Sequence, residues 1–522
     1  MTSFLPLNAL APLLLVAVAC AAFARPGRRP VAIPLLSEAA ALAALGLAVA
    51  GLLQFALAGP ATLKFATGPA ALVLKLDAVS ATMTLLVAFV GWVVMRYSRT
   101  YLDGEAREGA FHGLMLATLA AVLVLVQAGS LGVLLAGFVA VGLGLRRLLL
   151  FYPDRPEARR AAAKFALVWH AGDVALFGAA LLSLFAHGSA EIATITAAAA
   201  AGDAGGAATG VAIGLLVLAA ALKTAAFPLH GWLTEVMEAP TPVSALLHAG
   251  IINGGGFLLI LTAGLVQTSP GAMAALVMIG GLTALFGAVV MLTQSAIKTA
   301  LAWSTVAQMG FMLMQCGLGL WALALLHIVA HSLYKAHSFL ASGGAVHQVA
   351  NLRRPGPVAI PGLGAVLKSF ALALVLYAAV ATVFSLAAGP KTAQALALGA
   401  MLIFGVAYLV AQGLADAAPA ALTRRTALAS LGAATAYFSF QLAAEAVWGP
   451  HLPPAPVPGP LEWGLIVLAV LSFGLVAFAQ ALFPLWAHHP ASAGLRVHIA
   501  NGLYLNALLD RLIGGFKAQK TH

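Results

Sequence analysis

Hydrophobic residues form long runs along almost the whole chain, separated by short clusters of arginine, proline, glycine and other polar residues. Runs of about 18 residues or more recur from end to end, and each is long enough as an α-helix to cross roughly 30 Å of hydrocarbon. The pattern predicts an all-α polytopic membrane protein of about fifteen transmembrane helices. The predicted spans are 4–24, 35–58, 73–95, 110–127, 129–150, 161–186, 207–226, 240–266, 271–293, 296–318, 320–345, 362–387, 393–413, 425–447 and 461–486.

The composition agrees with this class. Of the 522 residues, 62% are hydrophobic and only 8% are charged, which is too few to form the surface of a soluble protein of this size. The two cysteines, Cys20 and Cys316, lie far apart and form no CxxC pair. This spacing argues against iron–sulfur, zinc-finger and disulfide frameworks, and we expect no metal site and no cofactor in this chain.

The positions of the 27 basic residues predict the orientation. No lysine or arginine precedes the first apolar run, as one would in a signal peptide, so we expect that run to be a retained helix. Connections after odd-numbered helices and the C-terminal tail hold most of the basic residues, whereas connections after even-numbered helices hold only Lys64, Lys75 and Lys391. The positive-inside rule then places the N-terminus outside and the C-terminus inside. The net charge of +11 follows from this topology and does not indicate nucleic-acid binding.

Ionisable residues inside the predicted helices are candidates for function, because burying one in a bilayer costs at least about 2.5–3.5 kcal/mol. His327, His331 and Lys335 follow at i, i+4 and i+8, so they lie along one face of one helix. Because imidazole titrates near neutral pH, such a row can pass protons through intervening water. Hydrogen bonding between neighbouring helices is the structural alternative. A metal site is a further alternative, but the helix offers no carboxylate or thiolate ligand.

The stretch KTAAFPLHGWLTEVMEAPTPVSALLHAG (223–250) predicts a broken helix. Lys223 ends an apolar run, Pro228 prevents regular continuation, and a further proline pair precedes His248 in the next helix. Broken helices at membrane depth are tolerated where they line a polar cavity. A similar interruption, FSLAAGPKTAQ (384–394), falls five helices later, and an odd offset reverses orientation. We therefore predict two inverted five-helix repeats, 110–266 and 271–413, flanked by 1–109 and 414–522.

Several other polar residues are weaker candidates. Asp173 and Asp416 are membrane acids that can pair with a lysine, for structure or for function. Glu235 and Glu238 either provide a carboxylate for Lys223 or cap a short helix after Pro228. The piece NGGGFLL (253–259) lacks the residue order and preceding strand of a phosphate-binding loop, so we expect it to allow close helix packing. Lys298 and His230 complete this set.

Four segments resemble the antiporter-like subunits of respiratory complex I and Mrp-type sodium/proton antiporters, over roughly residues 70 to 420. They are LKTAAFPLHGWLTEVMEAPTPVSALLHAG, IKTALAWSTVAQMGFM, HSLYKAHSFLASG and HAGDV (170–174). The resemblance implies two inverted repeats and a hydrated chain of lysine, histidine and glutamate that conducts protons. It further implies the role of each matching residue: Lys223 is the broken-helix lysine, His248 its partner, Lys298 a member of the next repeat, and His327, His331 and Lys335 the connecting axis.

Two positions depart from that family. Val139 stands where the family usually has a glutamate, and Leu386 stands where it usually has a second lysine, with Lys391 further on. We therefore expect Lys223 to lack its usual carboxylate and the exit half of the pathway to be rewired.

HAGIINGGGFLL, LLLFYPDRPEAR and HIANGLYLNALLDRL resemble, more narrowly, the membrane subunit of DAB inorganic-carbon accumulation complexes. This resemblance implies a non-enzymatic, cation-conducting subunit, for protons or sodium ions, in the bacterial cell inner membrane. It also implies a peripheral cytoplasmic partner that resembles a zinc β-carbonic anhydrase and hydrates CO2, with zinc only in that partner. The alternatives are a complex I-like or Mrp-type antiporter subunit and a membrane anchor with a non-conducting channel. Val139 and Leu386 favour the anchor, whereas the row His327, His331 and Lys335 opposes it.

Overall fold

The computed structural model describes residues 5–66, 68–202, 206–343, 362–413, 419–482, 486 and 489–513. Helices dominate this part of the chain, and one hairpin of two short strands follows the second helix. The elements are α1 Leu10–Phe23, α2 Ile33–Ala58, β1 Ala61–Lys64, β2 Val73–Leu76, α3 Ala78–Tyr101, α4 Glu108–Val126, α5 Leu131–Leu149, α6 Pro156–His187, α7 Ile192–Ala200, α8 Gly206–Lys223, α9 Gly231–Thr234, α10 Thr241–Ala249, α11 Gly254–Leu261, α12 Ala263–Val266, α13 Pro270–Met291, α14 Ile297–Gly317, α15 Trp321–Ser342, α16 Leu363–Ala388, α17 Ala393–Gly413, α18 Pro419–Trp448, α19 Pro460–Ala481, α20 Ala493–Ala500 and α21 Leu505–Leu512.

Within the described ranges, eleven helical spans are long and apolar enough to cross a membrane, which confirms the all-α polytopic class. Two further apolar helices, Leu7–Phe23 and Ala393–Ala407, are shorter. Each predicted span coincides with one of these or with α14 or α15, two long helices that carry several polar residues. The number fifteen, the orientation and the repeat boundaries stay predictions.

The hairpin corrects the predicted start of the third span. Residues 73–76 form β2, which pairs antiparallel with β1, and α3 begins only at Ala78. Asp77 caps α3 by accepting a 2.8 Å hydrogen bond from the Ser80 N–H, and it lies 2.6 Å from the Lys75 ammonium. Burial alone would raise the pKa of Asp77, but Lys75 and Ser80 together hold it below its usual value. A short apolar run such as VLKL does not by its periodicity distinguish a strand from the start of a helix.

The two predicted helix interruptions differ in the structure. After α8 the chain forms a loop, the short α9 and a 3-10 turn at Val236–Glu238 before α10 begins. By contrast, α16 runs without a break to Ala388, and a four-residue loop from Gly389 leads directly into α17. The first interruption is therefore a true broken helix. The second interruption is the loop between two full helices that the predicted spans 362–387 and 393–413 imply, and it is not a broken helix like the first.

The predicted span 240–266 is itself interrupted. The helix α10 ends at Ala249, a 3-10 turn covers Ile251–Asn253, and α11 continues from Gly254. Every residue of α11 is buried, and α11 packs against α8 and α14. A Cβ atom on Gly255 would collide with the Ala220 carbonyl oxygen, and one on Gly256 would collide with the Met312 sulfur. The interpretation of NGGGFLL as a close-packing segment is confirmed.

The pair α13 and α14 also depends on glycine. A Cβ atom on Gly280 would lie 2.5 Å from the Met314 backbone nitrogen, and that backbone cannot move aside as a flexible side chain can. We expect Gly280→Val to destabilise the fold by about 1–3 kcal/mol through overpacking. Thermal unfolding in detergent measures this effect. The matched control is Gly281→Val on the next position, where the nearest atom to a new Cβ is the Met314 sulfur at 3.8 Å. Equal midpoints for both variants would contradict the prediction.

Candidate functional site

Lys223 is the last residue of α8, and its side chain is fully buried. Its Nζ lies 2.6 Å from Asp173 Oδ1 and 3.4 Å from the Trp169 carbonyl oxygen. The same Nζ lies 4.4 Å from the ring centroid of Phe138 and 4.2 Å from that of Trp169. A buried ammonium thus has one carboxylate and two aromatic faces around it, all of which stabilise its positive charge.

Asp173 lies on α6 and connects Lys223 to a more exposed group. Its second carboxylate oxygen, Oδ2, lies 2.9 Å from Nδ1 of His170, whose side chain is 38% exposed. Three titratable groups therefore run from a partly exposed position to a fully buried one. Lys223 lacks the usual carboxylate because position 139 is a valine, but Asp173, one of the two acids expected to be able to pair with a lysine, provides a carboxylate from α6. The motif HAGDV (170–174) contains both His170 and Asp173, but the pairing of Asp173 with a lysine 50 residues away follows only from helix packing.

The two glutamates after the broken helix have other partners. Glu235 Oε2 lies 2.7 Å from Lys164 Nζ, and Glu238 Oε2 lies 2.9 Å from Arg155 Nη1. Neither makes a side-chain cap to α9. Both proposed roles, as a carboxylate for Lys223 and as a helix cap, are therefore replaced by ion pairs at the loop end of α6.

The row on α15 lies on one face, as its spacing predicts. The rings of His327 and His331 have centroids 5.9 Å apart, and Nδ1 of His327 is 2.8 Å from Gln315 Oε1. His331 Nε2 is 3.2 Å from the carbonyl oxygen of His248, which brings α10 against this row. Within the described ranges, no group of three or more histidine, cysteine or acidic residues has the arrangement of a metal site.

His248 lies between α14 and α15. Its Nδ1 is 3.1 Å from Thr305 Oγ1, and its ring stacks on Phe339 with 4.2 Å between centroids. Its Nε2 is buried without a hydrogen-bond partner, and so is Nε2 of His327. A buried imidazole nitrogen with no partner is costly unless water or a transferred proton reaches it. These two nitrogens, one beside the row and one in it, are therefore the positions where water or a transferred proton would supply the missing hydrogen bond.

Lys335 has a different environment from Lys223. It is fully buried, and its Nζ donates to the Ser304 hydroxyl at 2.8 Å and to the Leu301 carbonyl at 3.0 Å. Neither acceptor is charged, and none of the ion pairs among the described residues includes Lys335. The two buried lysines therefore differ in their partners. The ammonium of Lys223 has a carboxylate counter-ion, whereas that of Lys335 has only neutral hydrogen-bond acceptors.

The structure separates the remaining candidates from these two sites. Lys298 Nζ lies 3.2 Å from Thr241 Oγ1, at the start of α10. His230 is buried among aromatic rings, with Trp303 nearest at 4.8 Å between centroids. Asp416 lies outside the described residues. No hydrogen bond in the described part of the chain joins the Lys223 site directly to the histidine row, so a proton moving between them needs water or side-chain movement.

Comparison with known proteins places this arrangement in a family. Residues 128–418 match the family described as "NADH:quinone oxidoreductase/Mrp antiporter, TM", and residues 65–112 match "NADH-Ubiquinone oxidoreductase (complex I), chain 5 N-terminus". The first match covers more than half of the chain. The chain belongs to the NADH:quinone oxidoreductase/Mrp antiporter family.

Two relatives in this family carry a narrower name. A "Probable inorganic carbon transporter subunit DabB2" from Halothiobacillus neapolitanus is 36% identical over 497 residues, covering 92% of this chain and 88% of the relative. A "Probable inorganic carbon transporter subunit DabB" from Hydrogenovibrio crunogenus is 44% identical over 268 residues, about half of each chain at 51% and 52%. The resemblance to DAB membrane subunits is thereby confirmed.

A solved structure confirms the fold. The chain is similar to a chain of the Mrp complex from Dietzia sp. DQ12-45-1b, with a TM-score of 0.58 and 24% identity. The match covers 99% of this chain and 57% of that one. At this identity the likeness establishes the architecture of the family and nothing about its chemistry.

The two departures from the family pattern have different structural meanings. Val139 is half-buried on α5, next to Phe138, whose ring covers Lys223. Asp173 already provides the carboxylate that a glutamate at position 139 would have offered. Leu386 is 84% exposed on α16, so it faces away from the protein interior and lines no internal pathway. Lys223 thus has a carboxylate from α6 in place of one at position 139, whereas position 386 lies on the outer surface of the protein.

Proposed function

We propose that this chain is the cation-conducting, most simply proton-conducting, membrane subunit of an inorganic-carbon uptake complex in a bacterial inner membrane. The observation that carries the proposal is the buried Lys223–Asp173 pair, whose Nζ–Oδ1 distance is 2.6 Å. A buried ion pair is expensive to maintain and contributes little net stability, so a functional role explains its presence better than stabilisation does.

The proposed pathway uses the residues in a fixed order. His170, the most exposed of the three groups, is the outer station that exchanges protons with water in this pathway, and Asp173 links it to Lys223. When Asp173 takes up a proton or moves away, Lys223 loses its counter-ion and releases its own proton. That proton passes through water to His248, His331 and His327, and Lys335 is the second lysine station in the row.

The narrower part of the proposal concerns the partner. We propose that a peripheral cytoplasmic subunit resembling a zinc β-carbonic anhydrase binds this chain and hydrates CO2, driven by cation flow through it. The names of the two DabB relatives and the motifs that resemble DAB membrane subunits support this assignment. This chain would carry no carbonic anhydrase site and no zinc itself.

Purification of the tagged chain in mild detergent tests the partner. Mass spectrometry of the co-purifying proteins and zinc analysis of the complex are the two measurements. A stoichiometric, soluble, zinc-bearing protein is the expected result. A set of other hydrophobic subunits without zinc would overturn the carbon-uptake proposal and favour an antiporter assembly.

The antiporter alternative is favoured by the family match, whose description names the Mrp antiporter. It predicts sodium-dependent proton movement by the purified assembly. The second alternative, an anchor with a non-conducting channel, rested on Val139 and Leu386. It loses much of its support because Asp173 replaces the missing carboxylate.

A further inference from the structure

A buried cluster joins the C-terminal segment to the broken helix. Lys164, near the start of α6, has no exposed side-chain surface. Its Nζ lies 2.7 Å from Glu235 Oε2, 2.8 Å from Asp510 Oδ1 and 2.8 Å from Asn506 Oδ1. Asn506 also donates a hydrogen bond from its Nδ2 to Glu235. These four residues, Lys164, Glu235, Asn506 and Asp510, are called the latch below.

The latch is centred on the ammonium of Lys164. Three oxygen atoms lie within 2.8 Å of its Nζ, one from each of the other latch residues: the Asn506 contact is a hydrogen bond, and the Glu235 and Asp510 contacts are ion pairs. The two carboxylate side chains are 26% and 13% exposed, so water screens them only in part. Charge-assisted contacts of this kind are stronger than neutral ones. The latch therefore holds α21 to α6 and to the segment that follows α9.

Close packing adds to these polar contacts. A Cβ atom on Gly231, the first residue of α9, would collide with the Asn506 side chain, and Leu509 on α21 is buried beside it. At the preceding turn, a Cβ atom on Gly502 would lie 3.2 Å from the Trp303 ring. The C-terminal segment thus packs directly against α9 and against the Trp303 ring.

The helix α9 carries Trp232, whose ring packs against the aromatic residues of the Lys223 site. The Trp232 ring lies 5.3 Å from Phe165 and 6.1 Å from Trp169 between centroids. Trp169 is the residue whose ring covers Lys223 Nζ at 4.2 Å. Contacts therefore run from α21 to Gly231 of α9, and from the adjacent Trp232 through Trp169 to the buried ammonium.

We propose that the latch closes the access route to Lys223 from the end of the molecule where α21 lies. The four latch residues hold α9 in place, and α9 holds Trp232 against Trp169. Releasing the latch lets this segment move and admits water to Lys223. The effect on ion flow rests on the proposed conducting function, whereas the effect on access does not.

Cysteine labelling measures access without any assumption about flux. Thr224 is fully buried at the same end of α8 as Lys223, where its side chain packs against Gly255 of α11, so Thr224→Cys reports on water access to this helix end. The only native cysteines, Cys20 and Cys316, are replaced by serine and alanine to provide a background. Inverted membrane vesicles expose the face that carries α21 in the predicted topology, and a water-soluble maleimide is added to them.

The variant is Asp510→Asn, which keeps the side-chain shape and leaves Lys164 paired with Glu235. We expect labelling of Thr224→Cys to accelerate about tenfold, as for a segment whose closed state loses about 1.4 kcal/mol. The matched control is Arg511→Gln, an exposed residue on the same helix, which leaves the rate unchanged. Equal rates for Asp510→Asn and the control would overturn the proposal. If Asp510→Asn does not fold, Asn506→Ala makes the same test.

A double-variant cycle shows whether Asp510 acts through Lys164. In a Lys164→Met background, Asp510→Asn should change the labelling rate by less than about twofold, because the partner it would release is absent. Additive effects of the two changes would overturn the latch.

Proton flux in proteoliposomes of the full chain then tests whether the latch controls ion flow through Lys223. Asp510→Asn should raise flux severalfold when Lys223 is present and should have no effect together with Lys223→Met. Faster labelling with unchanged flux would overturn the gating role. No flux in any variant would contradict the proposed conducting function, and the labelling result would still decide whether the latch closes the site.

Discussion

Replacing Asp173 with asparagine is expected to reduce proton flux through this chain by at least about 100-fold, the smaller end of what a positioned acid–base group contributes. Asparagine keeps the size of the side chain but cannot ionise or carry a proton between His170 and Lys223. The change removes both the counter-ion 2.6 Å from Lys223 and the contact 2.9 Å from His170. Reconstituted protein with a trapped pH-sensitive dye and an imposed potassium diffusion potential measures the flux.

Two controls make this result specific. Asp154→Asn removes an exposed acid from the loop before α6, and Glu238→Gln removes the partner of Arg155. Both should retain flux within about twofold, since surface ion pairs contribute little to structure. An Asp173→Asn protein that folds and keeps more than half of the flux would show that Lys223 does not depend on this carboxylate.

Replacing Lys335 with methionine is expected to reduce proton flux by at least as much as Asp173→Asn, for a different reason. Lys335 has only the Ser304 hydroxyl and the Leu301 carbonyl as acceptors, so its charged form has no carboxylate to stabilise it. Methionine fills nearly the same volume without a titratable group, and removing an uncompensated buried charge should not lower the thermal stability. A lysine without a counter-ion is well suited to release a proton to His331.

Lys368→Met is the matched control for that experiment, because Lys368 is an exposed lysine on α16. It should leave flux unchanged. Cells that depend on the uptake complex provide a second measurement, in which Lys335→Met should restrict growth to elevated CO2 while Lys368→Met should not. Normal growth in air and normal flux for Lys335→Met would exclude this residue from the pathway.

Features encoded locally could be predicted from the sequence. The positions of the long helices follow from apolar runs, and the common face of His327, His331 and Lys335 follows from their spacing alone. The break after Lys223 follows from Pro228 and the proline pair that precedes α10. In each case the physical cause lies within one or two helical turns.

Features that depend on which helix faces meet could not be predicted. A soluble helix reveals its buried face by its polar residues, but in a bilayer the lipid-facing and core-facing sides are both apolar. Hydropathy therefore gave no sign that Leu386 points outward, and it identified Asp173 as an acid that can pair with a lysine without indicating that the lysine is Lys223. The contact between Lys164 and Asn506 joins residues 342 positions apart, so no local sequence pattern predicts it.

The helix α6 connects the latch to the Lys223 site. It is continuous from Pro156 to His187 and carries Lys164 and Asp173 on the same rod, separated by roughly 13 Å at 1.5 Å per residue. Lys164 is held by Asp510 of the C-terminal segment, and Asp173 is the counter-ion of Lys223. The ion pairs of the C-terminal segment and the carboxylate of the buried lysine therefore belong to one continuous helix.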